Sequence, residues 1–424
     1  MILPRVEELR LDNGLCALLV DRRSLPVVAS TIWYRVGSRD ERTGETGLSH
    51  FLEHMMFKGT DLYGKGEIDL LTSQMGGSNN AFTDNDVTGY YFSLASDRWQ
   101  KALEIEANRM RGCLLDEEEF KAERNVVLEE LAMGEDDPWR SLFQATEALA
   151  YQVHPYHHPI IGWKEDVENV KVDTMRSYYR RHYAPDGAFL VIVGDIDIED
   201  TRRRISDLFG DIEPVGGERV SVLSEPESQG ERRTQIRSPG ETTRMAVAVK
   251  TCKMGEDDDF ALDILSSGLT HGKSSRLYRR MVLADQLVTD VSTYNEVRLD
   301  PGLFWFTFEL SPGVEPAQVE SCLREELDRV ATDGLAEDEL RRARIQLDAA
   351  FLFEEETALD SAIRIGRWES TCQGGYLSLQ NAEEMYAKVD SAGIRDLVTR
   401  YMPSDKWHVS HSLPSPEATG EKGE

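Results

Sequence analysis

"GLSHFLEHMMFKGT", residues 47 to 60, sets His50, Glu53 and His54 inside an otherwise apolar run. On a helix each residue advances by roughly 100°, so positions i, i+3 and i+4 share one face. The three side chains therefore converge on one spot. Two imidazoles one turn apart can hold a zinc ion, and a carboxylate beside them can take a proton from water activated there. The order H-x-x-E-H inverts the H-E-x-x-H arrangement of helix-borne zinc sites. Taken alone, the five residues also fit a helix whose polar groups merely cap it or form ion pairs.

The chain has 424 residues, a length that suggests two or three domains, and 40% of them are hydrophobic, enough for packed cores. A formal charge of −29 argues against nucleic acid as the partner. It suits cationic peptides, although solubility alone accounts for an acidic surface. No apolar stretch approaches the roughly 18 residues of a membrane span. Cys16, Cys113, Cys252, Cys322 and Cys372 are odd in number, far apart and free of any C-x-x-C. They form neither a disulfide framework nor a zinc knuckle, which favours a reducing compartment. With no signal-peptide pattern at the start, the expected location is the cytoplasm, or the periplasm had a leader been removed.

Around the opening stretch the pattern alternates strands and helices. "VEELRLDNGLCALLVD" reads as a hairpin about Asn13-Gly14, and "VVASTIWYRVG" as a strand. After the 47–57 helix, "GGSNNAFTDNDVTGYYFSLA" reads as a loop followed by a strand, then comes a helix near 97–111. Asp116 and Glu119 form a D-x-x-E capping box that opens a long helix to about Met133. "HYAPDGAFLVIVGDI" gives another strand and "EDTRRRISDLFG" a helix. Residues 214–231 lose periodicity and collect Pro, Gly, Ser and Glu, as a linker does.

Beyond it the scheme restarts. "RMAVAVKTC" stands where "VVASTIWYRVG" stood, and "DDFALDILSSGL" stands where the His-bearing helix stood, without its His and Glu. We expect a metal-binding domain over 1–214, a linker over 215–231, and a degenerate repeat over 232–424. The tail from about Pro414 reads as disordered.

A catalytic zinc takes three protein ligands plus water. The long helix offers Glu123 and Glu130, two turns apart on one face, while Glu129 lies about 100° round. Val126 and Val127 at the edges of that face point it inward. Buried carboxylates need a cation nearby, and the zinc is the obvious one.

Together, "HFLEHMMFKGT" and "ERNVVLEEL" resemble the pitrilysin-type inverted zinc metallopeptidases, in the branch of the mitochondrial processing peptidase and its bacterial relatives. The likeness extends through "NNAFTDNDVTGYY", "HPYHHPIIG" and "YYRRHYAPDGAFLVIVGD" over nearly the whole chain. It implies an α+β fold of two similar α/β sandwich domains, forming one half of a clamshell around a closed chamber. It implies Zn²⁺ on His50, His54 and Glu130, since the family's third ligand follows the second His by about 76 residues and 130 − 54 = 76. Glu53 is then the catalytic base and Glu123 a supporting carboxylate.

The resemblance further makes 76–91 an edge strand that grips an extended peptide by its backbone, with Asn80, Ala81 and Phe82 at the scissile region. Without it, Asn79-Asn80 fits a turn equally well. "HPYHHPIIG" could suggest a second metal on His154, His157 and His158, but its flanking prolines suit loop packing better. His182, His271, His408 and His411 read as structural.

One departure matters. Self-sufficient members carry an Arg and, seven residues on, a Tyr in the second half. Aligned on Gln286-Leu287, those positions here hold Val282 and Thr289. Arg276 and Tyr278 lie nearby with the wrong spacing. The expected function is a zinc endopeptidase subunit acting with a homologous partner that carries the Arg/Tyr pair. The rivals are a scaffold subunit of a larger complex and a peptide-binding subunit that does not cut.

Overall fold

A computed structural model describes residues 5–216 and 221–415. The first half contains β1 (Glu7–Arg10), β2 (Cys16–Asp21), β3 (Val27–Tyr34), α1 (Leu48–Met55), α2 (Glu67–Gln74), β4 (Ser78–Thr83) and β5 (Thr88–Ala95). It continues with α3 (Gln100–Gly112), α4 (Glu117–Glu135), α5 (Pro138–Ala150), α6 (Lys164–Asn169), α7 (Val172–His182), β6 (Ala188–Gly194) and α8 (Ile198–Phe209). The second half begins with β7 (Arg232–Ser238), β8 (Arg244–Lys250), α9 (Asp257–Thr270), β9 (Val288–Glu296) and β10 (Leu303–Leu310). α10 (Pro316–Asp333), α11 (Glu337–Phe353), α12 (Ala358–Thr371), α13 (Ala382–Lys388), α14 (Ser391–Tyr401) and β11 (His408–Pro414) complete it.

Two mixed sheets form, ordered β1-β2-β6-β3-β5-β4 and β7-β11-β8-β10-β9. Leaving out β1, the two orders correspond strand for strand. Each has one parallel pair, β2 with β6 and β7 with β11, and is otherwise antiparallel. The repeat expected from the sequence is therefore present in the topology. β6 is buried along its whole length, as a strand covered on both faces must be, and it reads AFLVIVG without alternation.

The covering layers are exchanged. α12, from the second half, lies on the first sheet: Ala362 and Ile365 pack with Leu18, Trp33 and Phe189. Gly366 is glycine because a β-carbon there would enter the Trp33 indole. Conversely α5, from the first half, covers the second sheet through Leu142 and Ala150 against Ala246, Ala248 and Trp305. Helices on the opposite face of each sheet bury the two larger cores.

Several expectations need correction. Residues 76–83 are not a loop before a strand: Ser78–Thr83 forms β4, whose side chains alternate in a weakly apolar pattern. α2 was not foreseen. Asp116 caps α4 by accepting from the Glu118 and Glu119 N–H groups, but Glu119 pairs with Lys65 rather than closing the box. Val126 is 46% exposed, so only the Val127 edge of the Glu123–Glu130 face turns inward. Part of the expected linker and the tail from 416 lie outside the described residues, and β11 runs through to Pro414.

Candidate metal centre

α1 starts without a side-chain cap of its own, at Gly47, whose φ is 84°. The cap comes from a distance: Glu41 accepts from the N–H groups of Gly47 and Ser49, both at 2.7 Å. Burial pushes the Glu41 carboxyl up to about 8 against those two bonds. The apolar face of α1, with Leu48, Phe51, Leu52 and Met55, enters the first core. Phe51 stacks on Phe120 of α4 at 4.7 Å between ring centres. That contact sets α1 and α4 side by side, so their polar residues meet at the core's rim.

There His50 Nε2 stands 3.7 Å from Glu130 Oε1, and His54 Nε2 3.6 Å from Glu130 Oε2. Donor atoms of the three residues all fall within 4.8 Å of one another. Neighbouring ligands on a tetrahedral zinc, with bonds of about 2.0–2.2 Å, lie roughly 3.4 Å apart. The spacing is too wide for hydrogen bonds and close to what an ion between them requires. The donor set, two imidazoles and a carboxylate, suits zinc.

The other His54 nitrogen is committed: Nδ1 lies 2.9 Å from Glu123 Oε1. A metal-binding His is commonly oriented by such a carboxylate. Lys58 Nζ sits 2.5 Å from Glu123 Oε2. The cation beside Glu123 is thus Lys58, not the metal the sequence suggested. Burial works against ionising Glu123, but its bonds to His54 and Lys58 outweigh it and hold the carboxyl below the usual range. On His54, burial favours the neutral ring, and Glu123, Glu53 and Glu130 together outweigh it and raise its pKa. His50 goes the other way: burial, then the charges of His54 and Arg140, bring it down to about 3. Its Nδ1 is buried with no hydrogen-bond partner.

Glu53 projects beside the cluster. Thr83 Oγ1, on β4, donates to Glu53 Oε2 at 2.6 Å. Burial raises the Glu53 pKa, with the Thr83 bond opposing. Because β4 ends its sheet, it has one free edge. The register pairs Asn80 with Tyr91 and Phe82 with Gly89, while Ala81 opposes Tyr90. Ala81 therefore shares the α1 face with Thr83, whereas Asn80 and Phe82 face the α12 side. Phe82 packs edge-on against Trp33 at 5.1 Å, and Asn80 Oδ1 accepts from the Ala81 N–H at 2.9 Å. Glu129 is exposed, off the shared face as expected.

Sequence reasoning missed Lys58, Thr83 and Glu41. Lys58 lies four residues past His54, a helical spacing that could have flagged it, and Thr83 shares the strand alternation of Ala81. Glu41 gave no local signal. Val282 packs against the second core, and Thr289 Oγ1 donates weakly to the Glu309 carbonyl at 3.4 Å. Arg276 is held by Glu339, at 2.6 Å. His154 is buried and lies 3.1 Å from Asp300, within a packed loop. His411 meets Glu320 at 3.2 Å. All five cysteines are free, and no helix among the described residues is long and apolar enough to cross a membrane.

Residues 17–164 match the insulinase family (peptidase family M16), and residues 169–347 match the peptidase M16 inactive domain. The zinc protease PqqE of Helicobacter pylori is 29% identical over 365 residues, covering 85% of this chain and 82% of that protein. An uncharacterized zinc protease of Streptomyces coelicolor is 30% identical, covering 88% and 82%. The crystal structure of a protease from Helicobacter pylori superposes with a TM-score of 0.92 at 25% identity, covering 97% of this chain and 100% of that one.

Proposed function

The chain belongs to peptidase family M16, the insulinase family, and we propose that it is a zinc-dependent endopeptidase subunit cleaving extended or unfolded peptides inside a closed chamber. The observation that carries this reading is the convergence of His50, His54 and Glu130 within 4.8 Å, beside a Glu53 bonded to the edge strand. Those three residues would hold the zinc. When bound, it would supply Lewis acidity, polarising the scissile carbonyl and making water a better nucleophile.

The protein's own groups do the rest. A peptide adding to the free edge of β4 is held by its backbone, which tolerates many sequences. It would replace Asn80 Oδ1 as acceptor for the Ala81 N–H, so Asn80 and Ala81 position the scissile region, with Phe82 close by. Glu53, its pKa raised by burial, accepts a proton from the attacking water and returns it to the leaving amine. Glu123 orients His54 and is itself neutralised by Lys58.

Retention of all three donors and the base argues against a scaffold or a binding-only subunit. The second half offers Val282 and Thr289 where a donor pair would reach the carbonyl oxygen. Losing such a donor costs on the order of 10²–10³ in rate. A homodimer repairs nothing, so the partner is a homologue that carries the Arg and Tyr.

The test has two arms. Glu53→Gln should lower hydrolysis of a quenched peptide by about 10²–10⁴ while zinc content stays at the wild-type level. Loss of zinc, or wild-type turnover, would overturn the role of Glu53. Adding the homologue should raise wild-type activity at least about tenfold. Full activity of the chain alone, unchanged by the homologue, would sink the partnership.

A further inference from the structure

β4 lies between two cavities. The first, of about 320 Å³, opens at the metal centre and is lined by Glu53, His54, Phe57 and Lys58 together with Asn79 and Asn80 of β4. The second, of about 820 Å³, lies on the α12 face of the same sheet, between the two halves of the chain. β4 and β5 supply Phe82 and Tyr91 to it, and α12 supplies Leu359 and Ile363. Phe82 can lie there because its partner on β5 is Gly89: a β-carbon at residue 89 would enter the Phe82 ring.

Seven aromatic side chains line the larger cavity, in a chain that is 8% aromatic. One of them, Phe353 at the end of α11, is 71% exposed. The walls also carry charges, and each of these is already matched. Asp259 and Asp263 accept from Asn295, and Asp263 from the Tyr386 hydroxyl as well. Arg364 meets Glu354 at 3.7 Å and Glu355 at 2.8 Å, and Arg367 meets Asp84 at 3.6 Å. Asp360 accepts from the Thr357 hydroxyl at 2.5 Å. What the cavity leaves for a ligand is aromatic and aliphatic surface, which favours an apolar occupant over a charged one.

A peptide strand that adds to the free edge of β4 presents successive side chains to opposite faces of the sheet. Every second side chain then points to the metal centre, and those between point to the side of the larger cavity. We propose that this cavity is a subsite for large apolar side chains carried on alternate residues of the bound strand. The proposal rests on the peptidase reading and adds a substrate class to it: extended segments with aromatic or large aliphatic residues two apart. Such residues are roughly 6–7 Å apart along a strand, a spacing that a cavity of this size accommodates. That alternation is the pattern of half-buried β-strands, so unfolded β-rich chains would supply it.

Binding to the full chain carrying Glu53→Gln separates recognition from turnover. The probes are fluorescein-labelled peptides of Ala, Ser and Thr with no Phe, with one Phe, with two Phe on adjacent residues, and with two Phe two residues apart. The last should bind about tenfold or more tightly than the adjacent pair of identical composition, because only it puts both rings on the cavity side. The Phe-free peptide sets the baseline. Phe353→Ala removes an exposed ring from the cavity wall and should shrink that advantage with no change in melting temperature. Ile363→Trp, which places an indole in the cavity, should erase it. Equal binding of the two two-Phe peptides would overturn the subsite. So would an advantage that persists in both variants, or variants that weaken all four peptides alike. If the zinc-loaded wild type prefers the alternating peptide yet cuts none of the four, the peptidase reading fails and the subsite stands.

Discussion

Helices α1 and α9 follow corresponding central strands, β3 and β8, in sheets of matching order, yet they treat their polar residues in opposite ways. α9 is buried along most of its length through Phe260, Leu262, Ile264, Leu265 and Leu269. Its inward carboxylates, Asp259 and Asp263, are satisfied within the second half. Asn295 Nδ2 donates to them at 2.7 and 3.1 Å, the Gly255 N–H to Asp259 at 2.8 Å, and the Tyr386 hydroxyl to Asp263 at 2.6 Å. On α1 the lone pairs of His50, His54 and, from α4, Glu130 face one another without donors between them. One fold thus supports either a closed polar network or an open one, and half-buried acceptors left facing one another are where a cation fits.

The largest effects should come from breaking the open network. His50→Ala, His54→Ala and Glu130→Gln each remove a donor, and zinc content after purification should fall well below that of wild type, with hydrolysis lost alongside. Glu129→Gln, exposed on the other side of α4, should retain both. Equal zinc in all four variants would mean that α1 and α4 do not form the site.

The middle of this comparison was legible in the sequence because helical spacing is local. His50, Glu53 and His54 announce a shared face within five residues, and the two-turn interval from Glu123 to Glu130 announces another. The matching strand-and-helix order of the halves could also be read, since the same apolar patterns recur. What could not be read depends on contacts between distant segments. The exchange of α5 and α12 leaves no local trace, because each helix is simply amphipathic wherever it docks. By pattern alone β4 reads as a loop, since its SNNAFT alternation carries little apolar signal. Spacing alone offers Glu123 the metal as its cation, whereas Lys58, just past the end of α1, neutralises it.

That last contact gives the intermediate effect. If Glu123 acts by orienting His54, Glu123→Gln keeps a hydrogen bond and loses the charge, while Lys58→Met leaves the carboxylate less restrained. Each should weaken zinc retention against a chelator by about 10–100-fold, less than the loss expected on removing any of the three donors. A Glu123→Gln protein that holds zinc as wild type does would remove Glu123 from the site and reduce its bond with His54 to packing.

The smallest effect lies on the α9 side and concerns stability rather than metal. Burial, and then the neighbouring charge of Asp263, raise the Asp259 pKa; the Gly255 and Asn295 bonds oppose them but do not prevail. The folded chain therefore holds a proton that the unfolded chain has already released above about pH 4. With more protons bound to the folded state, stability falls as pH rises. The contribution is fully present below the unfolded carboxylate value and is lost as pH climbs through the raised folded one. Asp259→Asn is neutral at every pH and removes this dependence. Melting curves with a chelator present should show wild type and variant converging in acid and separating by a few °C in the variant's favour toward alkaline pH. Zinc content and hydrolysis should be unchanged, since α9 has no part in the metal centre. A constant gap across the pH range would mean that Asp259 is ionised in the folded chain, and that the α9 network is held by charge rather than by a retained proton.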